Sequence, residues 1–257
     1  SRRSRRRERI LAELGAGDAD WDDWKWQVQR ILKDPDGLAR VVPLSEEELA
    51  HARRACAGNL PFGVTPYYAS LMDEDPEAGR DRAVRAQVLP PARYVNEMLA
   101  HRGDRERSSD FMLEQDTSPV DLVTRRYPGI VILKPFNTCP QICVYCQRNW
   151  EIDQAMAPGA LASRASVDAA VQWIADHPAI REVLITGGDT FALSDGRLER
   201  IIGAVAAVDH VDLIRIGSRT PVTVPMRITP ELCELLGSFR DPGRRDVAVV
   251  THVEHPY

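Results

Sequence analysis

The sequence is poor in several kinds of residue, and each shortage excludes something. Among its 257 residues, no apolar run approaches the roughly 20 residues that a membrane-spanning helix needs, so we expect no contact with a membrane. The net charge is −5, which gives no overall basic field to recruit nucleic acid. Lysine is scarce, because only Lys25, Lys33 and Lys134 are lysine among 33 basic residues. Cysteine is scarce too, with five residues in the chain.

The opening segment, SRRSRRRER, has the paired arginines of a secretion signal but lacks its apolar core. Acidic and glycine residues follow it, among them Glu13, Gly15 and Asp18. We therefore expect a frayed, solvated N-terminal arm. Because nothing else in the sequence is secretory, we predict a cytoplasmic location, where disulfides are rare.

The chain divides near residue 125. Residues 1–125 are predicted to be helical, polar and punctuated by proline and aspartate, with a mixed-charge loop or helix end at 101–110. Residues 126–257 alternate apolar strand candidates with helix-period segments. The strand candidates are Ile130–Leu133, Glu182–Thr186, Val211–Ile216 and Asp246–Val250. The helix candidates are Val167–Asp176, Asp195–Val208 (N-cap Ser194) and Pro230–Phe239 (N-cap Thr229). This alternation predicts an α/β fold with a parallel sheet.

Three of the five cysteines, Cys139, Cys143 and Cys146, lie in the stretch CPQICVYC. Thiolates on one loop can bind three irons of a [4Fe–4S] cluster and leave the fourth iron open to a ligand. The alternatives are a structural zinc site and a disulfide. Zinc needs four ligands, commonly two pairs, but Cys56 is alone and Cys233 falls on the apolar side of a helix pattern. An odd number of thiols argues against a disulfide framework.

Four motifs follow the carboxyl ends of predicted strands: CPQICVYC, GGD at 187–189, GSR at 217–219 and TH-x-x-HP at 251–256. In parallel α/β barrels, ligands bind at that end of the strands, where the βα loops meet. The sequence therefore predicts that these motifs form one site.

In this order, and with WDDWKWQVQ, TPYYASLMD, RRYPGIVIL, IRIGSRTPV and PMRITPEL around them, the motifs resemble the lysine 2,3-aminomutase family of radical S-adenosylmethionine enzymes. The resemblance runs from about Trp21 to Pro256. It implies a partial (β/α) barrel of six strands with a helical N-terminal extension. Since only four strands are predicted, we expect the C-terminal part of the barrel to be missing after Tyr257, and Ser1 in place of Met suggests trimming at the other end.

The resemblance implies roles for the motif residues. The cysteines would hold the [4Fe–4S] cluster, and the other positions would contact S-adenosylmethionine: Tyr145 its adenine, Gly187, Gly188 and Asp189 its methionyl amine, Ser218 and Arg219 its carboxylate and ribose, and His252 an unspecified part. Each position also has an ordinary structural interpretation. The glycines can end a strand, Ser218 and Arg219 can form a solvated turn, and His252 can be a buried histidine.

Arg148 matches the family's arginine for the α-carboxylate of the substrate, although a surface ion pair would explain it equally simply. Arg126 and Tyr127 match the pair that holds the phosphate of pyridoxal phosphate, but the family's next basic residue is Ile130 here. None of the three lysines matches the one that binds pyridoxal phosphate as a Schiff base. This cofactor is therefore expected only if residues beyond 257 supply that lysine.

The predicted activity is radical isomerisation, most simply migration of an amino group from C2 to C3 of an α-amino acid. One alternative is radical chemistry on another substrate without pyridoxal phosphate, and another is a non-catalytic iron–sulfur protein. The expected partners are an amino acid, an electron donor such as flavodoxin or ferredoxin, and further copies of the chain in a homo-oligomer. The acid–base residues of catalysis are not predicted.

Overall fold

The computed structural model describes residues 2–101, 103–104, 110, 112–149 and 151–253. The predicted loop at 101–110 and the end of the TH-x-x-HP motif therefore fall mostly outside the described residues. The described helices are α1 (Arg2–Glu13), α2 (Asp18–Asp22), α3 (Trp24–Gln29), α4 (Pro35–Val41), α5 (Glu46–Ala57), α6 (Pro66–Ala69), α7 (Arg82–Ala86), α8 (Ala92–Ala100), α9 (Arg164–Ala175), α10 (Asp195–Ala206), α11 (Thr220–Thr223) and α12 (Pro230–Ser238). Short 3₁₀ turns lie at Pro76–Ala78, Gln115–Thr117, Thr190–Ala192 and Pro225–Arg227.

The strands form one mixed sheet in the order β1–β2–β3–β4–β5. They are β1 (Val123–Tyr127), β2 (Ile130–Phe136), β3 (Glu182–Gly187), β4 (Leu213–Gly217) and β5 (Asp246–Val250). Strands β2 to β5 pair in parallel, while β1 pairs antiparallel with β2. The predicted α/β class is thus confirmed, and the four predicted strands are the parallel ones.

The sequence analysis does not predict β1. Its sequence, VTRRY, buries only Val123 and Thr124, and its outer half is exposed. An antiparallel edge strand can be polar in this way because part of it stays in water. The apolar content of such a strand is too low to distinguish it from a loop.

The sheet core comes from alternate residues of the parallel strands. Val131, Val183 and Ile214 are neighbours across β2, β3 and β4 and are fully buried. Helices α9, α10 and α12 pack against this core through their apolar faces, and their N-cap residues are Ser163, Ser194 and Thr229, respectively. The Thr229 hydroxyl accepts a hydrogen bond from the Leu232 amide, as an N-cap should. The Ser194 side chain makes no such bond.

Two expectations from the sequence are wrong. The N-terminal arm is not frayed, because it forms α1, whose Ile10 and Leu11 are buried in the helical layer. The Arg3 and Arg7 guanidinium groups lie over the rings of Tyr67 and Trp21, so these arginines pack while their charged ends stay near water. Cys233 is exposed, because only its neighbour Leu232 on α12 reaches the core completely.

The N-terminal helices form a layer with its own apolar cluster, which contacts the loops at the carboxyl end of the sheet. The Thr65 hydroxyl donates to the Thr223 carbonyl at 2.6 Å. Arg227 is almost fully buried, lies over the Trp24 ring at 4.6 Å, and donates to the Phe191 carbonyl at 2.9 Å.

The division at residue 125 falls within β1 and stays a prediction. In the described part of the chain, no helix has the length and apolar character needed to cross a bilayer.

Candidate functional site

The loop that carries the three clustered cysteines follows β2 and is held from outside the sheet. The Ile142 amide donates to the Gly63 carbonyl at 2.9 Å, and the Val144 amide donates to the Gln87 carbonyl at 2.8 Å. Both acceptors belong to the helical layer. The loop backbone is therefore fixed by hydrogen bonds that need no bound ligand. All five cysteines are free thiols.

The three loop thiols share one partly buried environment. Burial raises the pKa of Cys139 well above its ordinary value, and the nearby Cys143 and Cys146 raise it further. Burial also raises the pKa of Cys143, but the Arg219 guanidinium acts against that shift, with Nη1 2.7 Å from Sγ. A neighbouring cation favours the thiolate, which is the form that binds metals.

The donor set fits a cluster in which each thiolate binds a different iron. Among the described residues, no group of three or more histidine, cysteine or acidic side chains is arranged to hold one metal ion. Ligands of a single ion must all lie about 2.3 Å from it when they are thiolates. Thiolates on separate irons do not share this restriction. The fit therefore rests on three free thiols within eight residues of one loop, which act on one another electrostatically.

The glycines at the end of β3, Gly187 and Gly188, lie where two backbone segments meet. A Cβ atom on Gly188 would lie 2.0 Å from the Thr138 carbonyl oxygen, so no other residue fits there without movement of the backbone. The next residue, Asp189, donates its amide to the same carbonyl at 3.0 Å. The GGD motif thus contacts the residue that precedes Cys139. This contact explains Gly188 in structural terms, and a ligand contact there stays a prediction.

Asp189 connects the ends of β3 and β4. Its carboxylate accepts hydrogen bonds from the Ser218 hydroxyl at 2.5 Å and from the Arg219 amide at 2.9 Å. The carboxylate is buried, which raises its pKa, and these donors act in the opposite direction. The GGD and GSR motifs therefore form one hydrogen-bonded unit, as their common position at the strand ends predicts.

The Arg219 side chain connects this hydrogen-bonded unit to the cysteine loop. A ring contact of Tyr145 on that loop extends the connection to the segment after β5. Beyond its contact with Cys143, the Arg219 guanidinium lies 5.6 Å from the centroid of the Tyr145 ring and donates to the Gln87 side chain. Tyr145 meets His252 edge to face at 5.5 Å. The Tyr145 ring is 47% exposed. The residues predicted to contact S-adenosylmethionine are thus neighbours at one edge of the sheet.

Arg148 is buried, at 6% exposure, and not on the surface as the simpler interpretation assumed. It does form ion pairs: its Nη1 lies 2.8 Å from Glu114 and 3.5 Å from Glu151. Lys134 on β2 lies 2.6 Å from the same Glu114 oxygen. These four side chains form a group of two cations and two anions, which we call the charge quartet.

Arg126 and Tyr127 do not lie with the other predicted residues. They end β1, which runs antiparallel to β2, and Tyr127 pairs with Ile130 at the start of β2. Arg126 and Tyr127 therefore lie at the amino ends of the parallel strands, whereas the cysteine loop follows a carboxyl end. Both side chains are exposed, with Tyr127 at 64%.

Sequence reasoning misses three residues that support the site: Gln87, Glu114 and Glu151. Gln87 and Glu114 lie outside every motif, and no local pattern marks them. Glu151 lies just after the cysteine loop, and its acidic side chain near Arg148 was an available signal for an ion pair.

No model of a protein family matches the chain. It is nevertheless similar to curated proteins over nearly its whole length. An uncharacterised KamA family protein of Methanocaldococcus jannaschii is 44% identical over 264 residues, which cover 100% of this chain and 42% of that protein. The L-lysine 2,3-aminomutase of Clostridium subterminale is 37% identical over 244 residues, covering 93% of this chain and 53% of the enzyme.

A second kind of aminomutase is also related. The glutamate 2,3-aminomutase of Clostridioides difficile is 32% identical over 253 residues, covering 98% of this chain and 56% of that enzyme. The chain therefore spans about half the length of these relatives. Together with the α/β sheet and the motifs at the carboxyl ends of its strands, the similarity places the chain among the relatives of the amino acid 2,3-aminomutases. It belongs to the lysine 2,3-aminomutase (KamA) family.

Proposed function

We propose that this chain carries the radical-forming part of an amino acid 2,3-aminomutase. The observation that supports this best is the convergence of three motifs: Asp189 binds Ser218 and the Arg219 amide, and the Arg219 side chain reaches Cys143. A protein that only carried electrons would need the thiols but not the polar unit beside them. The mixed sheet would then form part of the barrel that the resemblance implies.

In this proposal Cys139, Cys143 and Cys146 hold a [4Fe–4S] cluster. A cluster held there would supply the single electron that the reductive cleavage of S-adenosylmethionine requires, which is the chemistry that the family resemblance implies. The chain's own residues position the reactants. The Asp189 carboxylate fixes the Ser218 hydroxyl and the Arg219 backbone, and the half-exposed Tyr145 ring offers an aromatic face for an adenine.

Arg148 is proposed to bind the α-carboxylate of the substrate. Both of its ion-pair contacts use Nη1, so Nε and Nη2 are the donors that a carboxylate could engage in the two-point geometry that guanidinium groups favour. Burial would strengthen such a contact, because nearby water is reduced. This role for Arg148 is what supports an α-amino acid as the substrate class.

The described residues do not fit pyridoxal phosphate. Lys25 and Lys33 are exposed in the helical layer, and Lys134 is held by Glu114 at 2.6 Å. Arg126 and Tyr127 lie at the amino ends of the parallel strands, opposite to the cysteine loop. As further expectations, the partners are an electron donor of the flavodoxin or ferredoxin class and further copies of the chain.

The test is turnover by the anaerobically reconstituted protein with dithionite and S-adenosylmethionine. Lysine, glutamate and arginine are supplied in turn, and 5′-deoxyadenosine and β-amino acids are measured. Formation of either product supports radical chemistry, and a β-amino acid identifies the migration. Without either product from any of the three, the proposed function would fail.

A further inference from the structure

The charge quartet around Arg148 has one tightly held acid and one loosely held acid. Glu114 is almost completely buried, and one of its oxygens lies 2.8 Å from Arg148, 2.6 Å from Lys134 and 3.1 Å from the Thr124 hydroxyl. Three donors on one carboxylate oxygen fix this side chain firmly.

Glu151 makes longer contacts with the same cations. It lies 3.5 Å from Arg148 and 3.9 Å from Lys134. Its side chain is 17% exposed, against 5% for Glu114. Ion pairs of this length that still reach solvent contribute little, since water competes for both partners. Glu151 is therefore the acid that can leave the quartet at the lower cost.

The charge balance decides what happens when a carboxylate arrives. The quartet has two cations and two anions, so an additional carboxylate on Arg148 would place a third anion in a largely buried group. An excess charge of this kind is costly where solvent is scarce. Exchange of one carboxylate for another keeps the balance at two and two.

We propose that Glu151 is a resident competitor, which occupies Arg148 until the substrate carboxylate displaces it, while Glu114 is the positioning residue that holds Arg148 and Lys134 in place. This assignment rests on the proposed role of Arg148 as the carboxylate site. Glu151 is then a specificity residue. A ligand with a negative charge at that position can replace the Glu151 carboxylate on Arg148, whereas a ligand that is neutral there cannot.

The test is equilibrium binding to the reconstituted protein with S-adenosylmethionine present. Lysine, glutamate and arginine are each compared with their α-amides, which lack the α-carboxylate. Glu151→Gln should lower the Kd of at least one acid roughly threefold, the size expected for removing a weak competing ion pair, and leave the Kd of its amide unchanged. Glu199→Gln on the exposed face of α10 is the matched control and should change neither.

Glu114→Gln should do the opposite and weaken binding of the acids more than of the amides. Iron content and thermal unfolding of this variant show whether it still folds, and Glu151→Gln decides the assignment if it does not. Three results would each overturn the proposal. One is that the acids have the same Kd for the Glu151→Gln variant as for the unmodified protein, and another is that the Kd of an acid and that of its amide change by the same factor. The third is that no acid binds to either protein. Turnover is a separate readout. If the acids bind as expected but neither 5′-deoxyadenosine nor a β-amino acid forms, the proposed function fails and the assignment of Glu151 stands.

Discussion

The guanidinium of Arg219 lies 2.7 Å from Sγ of Cys143, so the turn after β4 contacts the cysteine loop after β2 directly. The same arginine donates its backbone amide to Asp189 after β3. Three strand ends thus share one residue. A change at any of them is expected to affect the others through this residue.

The first prediction concerns the cluster. Cys143→Ala should reduce the bound iron from about four atoms per chain to well below one, because the remaining two thiolates hold a [4Fe–4S] cluster poorly. Iron and sulfide are measured after anaerobic reconstitution, with Cys233→Ala on the exposed face of α12 as the control. Stoichiometric zinc without iron in the unmodified protein would refute the cluster.

The second prediction concerns Asp189. Asp189→Ala removes the acceptor for Ser218 and Arg219, so S-adenosylmethionine should bind about tenfold more weakly while iron content stays near that of the unmodified protein. Binding is followed through the EPR spectrum of the reduced cluster. Unchanged affinity would mean that the GGD segment serves only to end β3.

The third prediction concerns Arg148. Arg148→Lys keeps one positive charge beside Glu114 but loses the planar two-point geometry, so kcat/KM should fall roughly 100-fold with little change in iron. Steady-state turnover and iron analysis are compared in the same preparation. Full activity of Arg148→Ala would remove this residue from the substrate site.

The fourth prediction concerns Gly188. Gly188→Ala places a methyl group against the Thr138 backbone, and backbone atoms cannot move aside cheaply, so stability should fall by about 3 kcal/mol. Gly196→Ala on α10 meets no neighbour and should be neutral or raise stability by up to about 1 kcal/mol. Urea unfolding measures both. Equal stability of the two variants would contradict the close approach.

The fifth prediction concerns thiols outside the loop. Burial raises the pKa of Cys56 to about 11, with Asp34 adding to the shift. A raised thiol pKa lowers the thiolate fraction, to about 0.1% at pH 8, so Cys56 should react slowly with iodoacetamide while exposed Cys233 reacts quickly. The rate at Cys56 should rise about tenfold per pH unit between pH 8 and 10. Mass spectrometry of the alkylated peptides checks both sites.

The predictable parts of the structure are those with a local signal. The parallel strands β2 to β5 are short apolar runs, and their helices have N-cap residues and apolar faces, so both can be recognised within a dozen residues. The cysteine spacing is equally local. These elements also locate the candidate site, because the motifs follow strand ends.

The parts that escape prediction depend on contacts between distant residues. Gln87 and Arg219 are 132 residues apart in sequence, and Thr65 and Thr223 are 158 apart. No periodic pattern encodes such a contact. The N-terminal arginines resemble a solvated arm in sequence, but Arg3 and Arg7 lie over the rings of Tyr67 and Trp21, and Ile10 and Leu11 anchor the same helix in the apolar cluster.

The carbonyl groups of Gly63 and Gln87, which hold the cysteine loop, come from segments that precede it in the chain. A flexible loop would lose conformational entropy at the moment it captured iron, and that loss would weaken capture. In this chain the cysteine loop is ordered by its hydrogen bonds to the helical layer. If the loop binds the proposed cluster, these two backbone hydrogen bonds would reduce the part of the binding free energy that goes into ordering it.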